Sequence, residues 1–195
     1  MAASRKHEPK KTGHRRIAGG PASPKRPALR FVITLVVLLA VFNYVYYVAF
    51  VRHHWLDRYL EGSATIAAAV LNVCGEQVTA QGTSVTSSRF TMQVAPGCDA
   101  IQAVALFAFA VLAFPARVRF GMKLLAALVG SVLLLIINMI RIISLYYVGV
   151  YLHAHFETIH IDVWQTAFIF LPIFFWLAWI WKVFHGTSQT PQHAG

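Results

Sequence analysis

The sequence predicts an all-α membrane protein: a bundle of about four transmembrane helices with an extracytoplasmic amphipathic helix and a short β-hairpin. Three observations carry that prediction. Hydrophobic residues make up 57% of the 195 and charged residues only 12%, against the roughly 25% charged of an ordinary soluble domain. The missing charge shows as four long apolar runs that hold a single charged residue, Arg141. The basic residues fall in alternate connections between those runs, as the positive-inside rule requires.

The four runs are Phe31–Val51, Ala100–Ala116, Leu124–Leu152 and Val163–Trp181. At 1.5 Å per residue each reaches, or nearly reaches, across ~30 Å of hydrocarbon. Helices are the expected form, because backbone groups in lipid need partners within their own segment. Ahead of the first run, residues 1–30 hold nine Lys/Arg and one acid, Glu8, among many Gly, Pro, Ser and His. Such a stretch buries too little apolar area to fold alone. It reads as a disordered cytoplasmic tail that fixes topology and touches anionic membrane lipids. A nucleic-acid arm is the competing reading of the +10 net charge, and the confinement of that charge to the tail argues against it. The long basic region, with no small-residue cleavage site soon after the apolar run, reads as an uncleaved first span rather than a signal peptide.

With the N-terminus inside, the loop carrying Arg117, Arg119 and Lys123 and the tail from Lys182 are inside too, including a disordered segment at 185–195. Thirteen of the 17 Lys/Arg then lie in the cytoplasm. The expected location is the cell inner membrane, with both termini cytoplasmic and a domain spanning 31–184. Six of the seven acids fall outside, although the rule itself weighs only Lys and Arg.

Residues 52–97 are extracytoplasmic on this topology. Asp57–Val73 reads as an amphipathic helix, with Leu56, Leu60, Ile66, Val70 and Val73 near helical spacing. Its apolar part, 64–74, lies in the interface or packs on the bundle, or forms a short re-entrant span. Phe90, Met92 and Val94 then alternate with polar residues, and Gln81-Gly82 offers a turn that folds this strand back on 76–80 as a hairpin.

The topology carries three distant residues to the outer face. Cys98 opens the second span after Pro96-Gly97, where a helix N-terminus favours a thiolate and Asp99 opposes it. Alternatives are a Cys74–Cys98 disulfide in an oxidising compartment, or an inert apolar packing role. Arg141 sits on the outer half of the third run. Arginine at mid-membrane costs ~2.5–3.5 kcal/mol and usually marks function, whereas near the interface it can snorkel to the headgroups. Asn138, three residues earlier, shares its helix face and points to an inward polar cluster. By the same spacing Gln102 lies one turn below Cys98. The loop before the fourth span holds His153, His155, Glu157, His160 and Asp162. It reads as a solvated loop, a metal site without a standard zinc spacing, or the source of one general acid/base.

Pro96-Gly97-Cys98-Asp99-Ala100-Ile101, Asn138-Met139-Ile140-Arg141-Ile142 and His160-Ile161-Asp162-Val163-Trp164-Gln165 together resemble the exosortase/archaeosortase family, and the short chain looks most like the exosortase H type. The resemblance spans roughly 94–175. Many relatives carry Gly soon after the Cys, where this chain has Asp99-Ala100, and many are longer. The resemblance implies a membrane-embedded cysteine protease or transpeptidase with no cofactor. Its substrates would be exported proteins ending in a short motif, an apolar helix and a basic tail, not nucleic acid. Cys98 would be the nucleophile, Arg141 the charge stabiliser and His160 the acid/base, with Asn138 and Gln102 in support. The strand before Cys98 offers an edge for an extended cleavage motif. A non-enzymatic scaffold or transporter, or a metal-dependent hydrolase, are the alternatives from other classes.

Overall fold

The computed structural model describes residues 25–53 and 55–186. Most of the expected tails, 1–30 and 185–195, lies outside these residues. Helix α1 (Lys25–His53) begins six residues before the predicted span. It is followed by α2 (Trp55–Val73), strands β1 (Val78–Gln81), β2 (Ser84–Ser87) and β3 (Thr91–Gln93), and helices α3 (Ile101–Ala113) and α4 (Phe120–Tyr151). A 3-10 turn (His153–His155) and a π-helical segment (Thr158–Gln165) lead into α5 (Thr166–Gly186).

Among the described residues, three helices are long and apolar enough to cross a membrane: Pro27–Val48, Phe120–Tyr151 and Thr158–His185. The fourth expected span is shorter than its apolar run. Helix α3 has 13 residues, about 20 Å. It stops because Pro115 disfavours helical geometry at the residue before it, and Phe114 is extended, at φ −64° and ψ 129°. Lys123 Nζ donates to the Phe114 carbonyl at 2.5 Å, placing a cation at the negative end of the helix. Phe107 and Val111 of α3 pack with Ala127 and Leu134 of α4 in one buried cluster that holds the bundle.

Helix α2 packs on the sheet and on α4 rather than standing apart. Its buried face is Leu56, Leu60, Ala64, Ala67 and Leu71. Ile66, Val70 and Val73, expected on that face, are exposed. Ala64 and Ala67 share the true buried stripe with the leucines, so side-chain size alone misidentifies the face. Asn72 fastens β1 to the helix end, donating to the Val78 carbonyl and accepting from its N–H, each at 2.9 Å.

The sheet is a three-stranded antiparallel meander in the order β1-β2-β3. The strand around 90–94 is present, but it pairs with β2, not with 76–80 as predicted, and β2 is what pairs with β1. Segment 84–87 gives little strand signal because Val85 is its only hydrophobic residue. Val78, Val85, Met92 and Val94 face inward, where they join Ile142, Leu145 and Tyr146 of α4 in the second large core. Glu76 ties the layer together by pairing with Arg89 before β3 and accepting from the Tyr146 hydroxyl at 3.3 Å. Phe90 lies directly on Gly149 of α4. A Cβ there would come within 2.1 Å of the Phe90 ring.

Gly149→Ala therefore forces Phe90, and β3 with it, away from α4. Overpacking of this kind costs about 1–3 kcal/mol, seen as a lower Tm of the detergent-solubilised protein. The double variant Gly149→Ala/Phe90→Leu recovers part of the loss if the clash is the cause.

Candidate active site

Three elements build the site: the loop before α3, the upper half of α4 and the π-helical segment. The loop turns sharply because Gly97 has φ 89° and Ala100 has φ 58°. The left-handed region costs a non-glycine residue about 1–2 kcal/mol, so Ala100 must be held there. Asp99 does the holding. Its carboxylate is 1% exposed. It accepts from the Ile101 N–H at 2.9 Å, the Gly97 N–H at 3.3 Å and the Tyr46 hydroxyl of α1 at 2.5 Å. Tyr59 of α2 donates to the Asp99 carbonyl at 2.9 Å. Burial, and then the charge of Asp99, push the Tyr59 phenol up, so it stays protonated and able to donate. Asp99 thus positions the loop in addition to opposing the thiolate.

Held this way, Cys98 Sγ lies 3.2 Å from His160 Nε2 and 3.7 Å from Arg141 Nη2. Asn138 Nδ2 donates to the Cys98 carbonyl at 2.9 Å. Arg141 is 1% exposed, and its guanidinium lies 5.1 Å from the centroid of the Phe168 ring on α5. The aromatic face offsets part of the cost of burying the cation. Its Nε, and the Asn138 Oδ1, have no partner among the described residues. Burial pushes the Cys98 thiol up, the nearby Arg141 pulls it down, and Asp99 pushes it up again. The thiol is thus held largely protonated next to an imidazole that can take its proton.

Among the histidines between α4 and α5, His160 is the one at the thiol. His153 packs on the Phe90 ring at 5.8 Å and is exposed, as is His155. The π-helical stretch that carries His160 has no signature in the sequence, and such wide turns recur at functional sites. Gln102 does not turn to Cys98. Its amide donates to Asn43 of α1 at 3.3 Å, because Cys98 precedes the helix and left-handed Ala100 breaks the periodicity between them. Cys74 and Cys98 are both free thiols, so the disulfide of the scaffold reading is not formed. Among the described residues no three His, Cys, Asp or Glu gather as a metal site. Tyr46 and Tyr59 escape sequence reasoning, since a phenol on an apolar helix carries no local signal of its partner.

Two cavities flank the thiol. One, of about 250 Å³, is lined by β3, the upper part of α4, Phe156, Glu157, Cys98 and His160. The other, of about 220 Å³, opens between α3 and α5 and is lined by Gly97, Asp99, Gln102, Arg141, Gln165 and apolar residues below them.

A thiol, an imidazole and a buried guanidinium thus meet at one end of the helical bundle of a membrane protein. The family described as "Transmembrane exosortase (Exosortase_EpsH)" matches residues 23–179. The chain belongs to the transmembrane exosortase family, which has a general protease or transpeptidase role at the membrane. No curated relative and no solved structure matches it.

Replacing Arg141 by Met removes the cation that favours the thiolate. The Cys98 titration then moves to higher pH, and alkylation by iodoacetamide at neutral pH slows by roughly tenfold. A pH–alkylation profile identical to that of the parent protein would show that Arg141 does not act on the thiol.

Proposed function

We propose that the protein is a membrane-embedded cysteine protease or transpeptidase that cleaves the C-terminal sorting signals of exported proteins at the outer face of the inner membrane. The observation that carries this reading is the convergence of His160 Nε2 and Arg141 Nη2 on one sulfur, from 3.2 and 3.7 Å. Three separate segments contribute to it, their site residues at least 19 positions apart in sequence.

The chemistry follows from these positions. His160 takes the Cys98 proton, and the thiolate attacks the scissile carbonyl carbon to give a tetrahedral intermediate. The negative charge that develops on the carbonyl oxygen is stabilised by Arg141, whose charge acts strongly because water is largely excluded around it. Collapse breaks the C–N bond. The imidazolium returns its proton to the leaving amine, and the acyl portion remains on sulfur as a thioester. Water, or the amine of an acceptor, then attacks the thioester carbonyl. His160 takes a proton from that nucleophile and returns it to the departing sulfur, restoring the thiol. Asn138 fixes the Cys98 carbonyl, and Gln102 braces α3 against α1. The basic tail and the loop bearing Arg117, Arg119 and Lys123 favour cytoplasmic termini and an outward-facing site.

The test is processing of a secreted reporter fused to a host-encoded C-terminal extension with a short motif, an apolar helix and a basic tail. Cys98→Ala abolishes cleavage. His160→Ala lowers it by about 10²–10⁴-fold, and Arg141→Ala by about 10²–10³-fold, each with normal membrane insertion. Full processing by Cys98→Ala would end the thiol mechanism.

A further inference from the structure

The two cavities beside Cys98 share no lining residue, and they differ in character. The first runs along β3. This strand is an edge of the sheet, and the Val94 N–H and the Phe90 carbonyl point inward to Thr83 and Ser87. Antiparallel alternation then turns the N–H and C=O groups of Thr91 and Gln93 away from β2, on a strand that lines the cavity holding the thiol. Unpaired strand groups of this kind bind an extended chain.

The second cavity descends between two helices. Its depth is apolar, with Ala103 and Leu106 on one wall and Phe168 and Ile169 on the other. Its upper part is polar, with the amides of Gln102 and Gln165 beside Arg141. The buried Nε of Arg141 has no partner. This combination suits the beginning of an apolar helix. The first four N–H groups of a helix have no internal acceptor, and in a membrane they need one. The amide oxygens of Gln102 and Gln165 supply it, and the small side chain of Ala103 lets a helix approach closely.

We propose that the cavity between α3 and α5 receives the first turn of the substrate's apolar helix, on the leaving side of the scissile bond, while the extended segment before that bond pairs with β3. This rests on the function proposed above. The scissile peptide then crosses the wall formed by the Cys98 loop and Arg141, which separates the two cavities. Gln102 and Gln165 act as positioning residues for the leaving helix. Thr91 and Gln93 align the acyl segment through their backbone.

Cysteine cross-linking in membranes tests the assignment. The full-length Cys98→Ala/Cys74→Ser protein traps the uncleaved reporter, whose cleavage site is located beforehand by mass spectrometry of the parent reaction products. The reporter carries one cysteine, either in the first helical turn after that site or in the segment before it. Ile169→Cys on the groove should form a disulfide only with the first, and Gln93→Cys on β3 only with the second. The reverse pattern, or no cross-link from Ile169→Cys, overturns the assignment. Processing by Cys98→Ala alone is scored separately. If it persists while the cross-links form as expected, the thiol chemistry fails and the docking stands. The Gln102→Leu/Gln165→Leu double variant should process the reporter roughly tenfold more slowly, the scale set by two hydrogen bonds. Alkylation of its Cys98 should remain at the parental rate, a readout that general misfolding would alter.

Discussion

The buried carboxylate of Asp99 is the interaction on which the Cys98 end of the bundle depends. It accepts from two backbone N–H groups of its own turn and from Tyr46 of α1. Tyr59 of α2 holds the adjacent carbonyl. One residue therefore joins α1, α2 and the start of α3, and it fixes a left-handed residue that would otherwise relax. A buried carboxylate is stable only when its lone pairs are satisfied, and the short loop 95–100 satisfies them by folding around it. The direction of the Cys98 side chain is a consequence of that fold.

The remaining elements divide the work by rigidity. Helix α4 is the longest, and it carries both bundle and sheet. Its lower half packs on α3, and its upper half carries the second core through Ile142, Leu145 and Tyr146. Arg141 and Asn138 lie between the two cores, where the helix is held on several sides. A cation on a lipid-facing surface would be free to snorkel to headgroups. Here Phe168 and the Cys98 loop enclose it, so its charge remains directed at the sulfur. His160 is carried by a wide helical turn at the entry to α5, so its position responds to the geometry of that entry.

The residues with strong chemistry were legible in the sequence because hydropathy sets the spans and the basic loops set their direction. Once the spans and the basic loops are set, Cys98, Arg141 and His160 must share a face, and Asn138 follows by helical spacing. What stayed hidden depends on packing. The buried stripe of α2 mixes small alanines with leucines, so the larger Ile66, Val70 and Val73 misdirect the eye. Strand β2 buries a single side chain and carries no alternation signal. Tyr46 and Tyr59 look like ordinary aromatic residues of apolar or amphipathic helices. Gln102 was readable as a neighbour of Cys98 only on the assumption of continuous helix, which Ala100 interrupts. In each case the missing information is a long-range contact, not a local propensity.

The covalent role proposed for Cys98 is tested most directly by mass spectrometry of the peptide that contains it. Membranes processing the sorting-signal reporter are quenched rapidly in acid to preserve any thioester. The expected result is a Cys98 peptide carrying the acyl portion of the reporter, and the adduct disappears on brief treatment with hydroxylamine. Steady cleavage of the reporter with Cys98 recovered unmodified at every time point, even when acceptor amines are withheld and deacylation is slowed by cold, would contradict the mechanism.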